Sequence, residues 1–198
     1  MTLSPIEFAR VAAIAITATV ATQIIYVTLG NLGLEPNRQL IWSVEVLAFL
    51  VLAIAGLALL PARPLIGGAL AAGGLLNTIQ AGMGLVMFEP LGQAGEALAP
   101  VFSAVLAMAF LLYFAGKVAI GIAALAAGAI LWRDAQGATR IVGAVCALTG
   151  IAAMVANALA IGLDADLTFI AGGAGTAAAL FLALALVPAM QDRETEPA

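Results

Sequence analysis

Histidine is absent from this 198-residue chain, cysteine and lysine occur once each, and charged residues make up only 9%. Each scarcity removes a class of chemistry. Without histidine there is no His-ligated haem, no Ser-His-Asp triad and no H-E-x-x-H zinc site. No Asp-rich motif points to a prenyl- or phosphate-transferring enzyme, so hydrolytic and metal catalysis are not expected. Cys146 stands alone, without the CxxC or Cys/His spacing that would hold structural zinc. With no imidazole to activate it, it reads as a small buried hydrophobe rather than a nucleophile. Arginine and lysine together number 7 and the net charge is −4. No basic patch exists to grip phosphates, which argues against nucleic acid as a partner.

What the chain does contain is apolar surface. Hydrophobic residues account for 64% and the mean hydropathy is +1.16, whereas soluble domains have about a quarter of their residues charged. An integral membrane protein is expected, of the all-α class. Apolar runs separated by Pro, Gly and charge fall at about 6–31, 39–60, 64–88, 100–132, 139–163 and 167–188. A bilayer core about 30 Å thick needs about 20 helical residues, and each run suffices. The first resembles a secretory signal at its start, but its length reads as an uncleaved membrane helix. The fourth, about 33 residues and about 50 Å long, is either one long helix or two short spans broken at Gly116-Lys117.

Charge placement chooses between them. With six spans and the N-terminus inside, Arg10, Arg63, Arg133, Arg140 and Arg193 are cytoplasmic. The outer loops then hold Arg38 among Glu35, Glu89, Glu96, Asp164 and Asp166, a positive-inside pattern. Splitting the fourth run erases it. The expectation is a six-transmembrane-helix bundle with both termini cytoplasmic: one domain over residues 1–190 and a polar tail over 191–198. A plasma membrane or a bacterial inner membrane is the expected location. Asp164 and Asp166 are expected to punctuate the last turn, with Asp166 capping the sixth helix.

Gly and Ala crowd the later runs, as in "IGGALAAGGLL" and "GIAALAAGAIL". In lipid, helices associate through close backbone approach, which small residues permit. The Gly-rich string over residues 172–177 lacks the preceding strand that a dinucleotide site needs, so it too is taken as a packing seam. Met83, Met87, Met108 and Met154 are taken as filler rather than a soft-metal path.

The polar residues inside the spans carry the functional argument. Counted from the cytoplasmic ends at about 1.5 Å per residue, Lys117, Glu45, Gln80, Tyr26 and Asn157 reach one height, in the outer third of the core. Gln23, Asn77, Tyr113 and Trp42 fall within about a turn of it. On five helices these residues lie on a single stripe, so the simplest bundle turns all five stripes inward. A charge facing lipid costs about 2.5–3.5 kcal/mol or more. Lys117 is therefore expected to meet Glu45, directly or through one water, ringed by Gln23, Tyr26, Asn77, Gln80, Tyr113, Asn157 and Trp42 as a ligand-binding set. The bland alternatives are a lysine that snorkels to the interface and an ion pair that only locks two helices.

Three functions remain. The first is a binding or accessory protein whose outward cavity holds a lipid-like or amphipathic molecule, or meets a membrane-protein partner. The second is a small transporter or channel subunit that switches Glu45 and Lys117 between partners. The third is a retinal protein with a Schiff base on Lys117, disfavoured by six spans and 6% aromatics. Membrane lipids are expected neighbours, oligomer formation is left open, and no cofactor can be named.

Overall fold

The first three helix starts can be traced to local signals in the chain. In the computed structural model, which describes residues 3–162 and 167–191, Ser4 opens α1 (Pro5–Asn31) with a capping box. Its hydroxyl accepts from the Glu7 amide while the Glu7 carboxylate accepts from the Ser4 amide. Asn37 caps α2 (Arg38–Leu59) by accepting from the Leu40 amide at 3.0 Å. Proline starts α3 (Pro64–Met83), where its missing N–H costs nothing. The third span does not end there, because a π-helical stretch over Gly84–Phe88 and a short α4 (Glu89–Gln93) prolong it. A 3-10 turn over Gly95–Leu98 then leads into α5 (Ala99–Asp134), which runs 36 residues without a break at Gly116-Lys117. Gly137, at φ +57, makes the tight reversal into α6 (Gly137–Gly162), and α7 (Thr168–Ala189) completes the chain.

Six of these helices are long and apolar enough to cross a bilayer, and the chain is a multi-pass membrane protein. Asp164, Asp166 and Arg193 lie outside the described residues, and with them the expected cap on the last helix.

Five helices close a ring, in which α1 packs on α2, α2 on α3, α3 on α5, α5 on α7, and α7 back on α1. The sixth, α6, sits outside the ring against α5 and α7. The tightest seams use glycine. Gly128 faces Gly143, and Gly121 faces Gly150, so α5 and α6 meet backbone to backbone twice at seven-residue spacing. Gly56 and Gly67 do the same for α2 and α3. At the end of the ring carrying the chain termini the interior is solid, filled by Ile16, Phe49, Leu52, Leu70, Ile120 and Leu182. Toward the other end the ring opens.

A polar and aromatic cavity at the open end of the ring

Among the described residues the α1 backbone lies close to α2 and α7 and stays clear of α5 across the ring. The space between them is a cavity of about 570 Å³, walled by α1, α2, α3, the π stretch, α5 and α7. Six of the nine residues singled out from the sequence line it: Gln23, Tyr26, Trp42, Glu45, Gln80 and Tyr113. Common height accounts for this, since equal counts along antiparallel helices of fixed rise end in one layer.

The other three lie elsewhere. Asn157 is fully buried where α6 meets α7, its amide donating to the Ala153 and Ala171 carbonyls at 2.8 and 3.0 Å. The stripe on α6 therefore faces a seam rather than the shared interior, because α6 is not a member of the ring. Asn77 is also fully buried, with its amide donating to the Gly73 carbonyl and wedged against Gly116 of α5. Its packing supplies a test. Gly116→Val would drive a side chain into that amide, so a loss of about 2–3 kcal/mol in detergent unfolding is expected, with part recovered in the double variant with Asn77→Ala.

Lys117 is the third, and its placement corrects the expected direct pair with Glu45. The side chain leaves α5 with its stem against Gly175 of α7, and its amine donates to Oε1 of Gln23 on α1 at 3.1 Å. The amine also lies 5.2 Å from the centre of the Tyr113 ring, within cation–π range. At 1% exposure it is behind the cavity wall rather than part of it. This burial differs from the snorkelling alternative. Lys117 thus ties α5 to α1, two helices whose backbones do not approach each other among the described residues.

Glu45 has a different partner. Its Oε1 lies 2.9 Å from the Thr22 hydroxyl, which is also 2.8 Å from the Thr19 carbonyl. The hydroxyl has one proton and can donate to only one of them. The second carboxylate oxygen has no partner among the described residues. The Lys117 amine and the Glu45 carboxylate do not touch, although each lies within the other's field. Thr176 joins the same network from α7, its hydroxyl 2.6 Å from Oε1 of Gln23.

Tyr26, Trp42 and Gln80 bring further polar groups to the wall with no side-chain hydrogen bond to a described residue. All three side chains are half-buried, and with Glu45 they concentrate the polar atoms of an otherwise apolar wall. The rest of the wall is apolar and aromatic. The chain has 8 Phe, 2 Trp and 2 Tyr, and half of them face this one space: Tyr26, Trp42, Phe88, Phe110, Tyr113 and Phe169. Trp42 packs edge-on to Phe88 at 5.7 Å and lies flush with Gly84. The π stretch therefore sets the position of the Phe88 ring beside α2, in keeping with the frequent use of π turns near functional sites.

Thr22, Thr176, Phe88, Phe110 and Phe169 escape a reading of the sequence alone. A helical threonine can satisfy itself on its own backbone, and a phenylalanine facing a cavity has the same hydropathy as one facing lipid. Comparison with family models, curated proteins and solved structures found no match to this chain.

Proposed function

We propose that this protein is a non-enzymatic membrane binding protein that holds an amphipathic small molecule in the ring cavity, with the open end directed to the outer side of the membrane. The carrying observation is the wall itself, a half-open apolar and aromatic cavity of about 570 Å³ where Glu45, Gln80, Tyr26 and Trp42 bring together polar atoms that no described residue pairs. An apolar pocket with a few convergent polar groups is the usual form of a small-molecule site. The positive-inside distribution supports the orientation. A molecule with an apolar body and a polar end would reach the cavity from the bilayer, where such molecules concentrate.

Native mass spectrometry on protein extracted in mild detergent, with lipid and small-molecule analysis of the released ligand, tests this reading. A mass addition near one per chain is expected. Gly173 lines the cavity and has open space where a side chain would begin, so Gly173→Trp should lower the bound fraction about tenfold while the fold is retained. Wild-type protein that carries nothing, or a ligand retained unchanged in Gly173→Trp, would refute the cavity as a binding site.

A further inference from the structure

We infer that the molecule held in the cavity carries a cationic head, an alkylated or protonated amine, seated between Glu45 and the ring of Trp42. This rests on the binding function proposed above and narrows its chemistry.

Three observations favour a cation over a neutral or anionic head. First, the charged side chain in the wall is a carboxylate. Glu45 is 8% exposed, lines the cavity and has one oxygen without a partner among the described residues. Lys117 is 1% exposed and is not among the lining residues, its amine donating to the Gln23 amide oxygen. A ligand head can therefore touch the negative group but not the positive one. Secondly, the aromatic residues are concentrated around that carboxylate. Ring faces attract cations through their quadrupoles, most strongly for Trp, and cages of aromatic side chains are the usual means of holding quaternary ammonium groups. The Tyr113 ring already holds a cation, the Lys117 amine 5.2 Å from its centre, so the Trp42 ring, on the same helix as Glu45, is the one left for the ligand. Thirdly, the open end of the ring is acidic. Glu35, Glu89 and Glu96 are exposed there with Arg38 as the counter-charge, a local excess of negative charge that raises the concentration of cations at the mouth.

The same head group occurs on free lipophilic amines and on zwitterionic lipids, and the experiment separates the two sources. Trp132 lies at the opposite end of the bundle under Arg140, so Trp132→Phe leaves Trp42 as the only indole reporter. Three probes of equal chain length are titrated below their micelle-forming concentrations into this protein: decyltrimethylammonium, the net-neutral decyldimethylamine oxide, and decyl sulfate. Saturable quenching or a spectral shift of Trp42 is expected with the ammonium probe, at an affinity about tenfold above the other two. Glu45→Gln retains an acceptor for Thr22 and should remove that preference. Displacement of the bound probe by diheptanoyl phosphocholine, but not by the phosphoglycerol lipid of the same chains, would place the head group on a lipid. Displacement by neither would place it on a free amine.

The amine oxide binding as tightly as the ammonium probe, or the sulfate binding more tightly, would overturn the cationic assignment while leaving the cavity as a binding site. Saturable binding of none of the three would remove the cavity reading itself. The comparison among probes is made on one protein, so it stands even where Glu45→Gln fails to accumulate.

Discussion

Gly128→Leu is expected to cost about 3 kcal/mol or more and to separate α5 from α6. A Cβ at Gly128 would lie 2.5 Å from the Gly143 carbonyl oxygen and equally hard against the Ala147 backbone nitrogen. Neither obstacle is the end of a flexible side chain, so the helices themselves must move. Separation is costly here because Gly121 and Gly150 form a second close approach one heptad away. Opening one opens the other, and dispersion contacts fall steeply with distance. The loss should register as a fall in the detergent-unfolding midpoint and as weaker protection of the Cys146 thiol, whose sulfur lies against the Ala124 carbonyl in the same seam. Gly82→Ala is the control. Nothing lies within 4 Å of the added carbon there, and stability should hold within about 0.5 kcal/mol. Equal behaviour of the two variants would refute glycine packing as the force that joins α5 to α6.

The contrast between Gly128 and Gly82 also shows how far the chain could be understood before its coordinates. Run length and charge were sufficient for six long helices, because a bilayer demands about 20 apolar residues per span whatever the packing. Depth was legible for the same reason, and it gathered Gln23, Tyr26, Trp42, Glu45, Gln80 and Tyr113 into one layer. Rotation was not. Whether a stripe faces the interior depends on which helices surround it, and no count along a single helix reveals that α6 lies outside the ring. Asn157 and Asn77 have the depth of the cavity but the orientation of seams. Lys117 presents the subtler case: only one acid stands at its height, so charge alone suggested Glu45, whereas packing against Gly175 carries the amine to Gln23. Nor could composition separate Phe88, Phe110 and Phe169, which line the cavity, from Phe102, which packs behind Phe88 at 6.0 Å.

Gln23→Leu should be the most damaging change to the polar layer, at about 3 kcal/mol, and Lys117→Met should reverse most of that loss. The first half follows from what Gln23 accepts. Its Oε1 accepts from the Lys117 amine and lies 2.6 Å from the Thr176 hydroxyl, which has the Gly172 carbonyl as an alternative acceptor, and the amine is 1% exposed with no other hydrogen-bond acceptor among the described residues. Removing the amide strands a buried ammonium, and breaking one side of a buried charged contact costs about 3–5 kcal/mol. The second half follows from the opposite limit. A buried polar pair replaced on both sides by apolar groups of similar volume is often neutral in stability, so the double variant should lie within about 1 kcal/mol of the wild type. Lys117→Met alone leaves Gln23 within reach of the Thr176 hydroxyl and should lose only about 1 kcal/mol. The resulting coupling between residues 23 and 117 should exceed that between residues 45 and 117, since the latter two act on each other only through space. A double-mutant cycle measured by reversible unfolding in mixed micelles decides the matter. Strict additivity of Gln23→Leu and Lys117→Met would mean that the amine does not depend on the amide. Lys117 would then no longer serve as the strut that ties α1 to α5 behind the cavity.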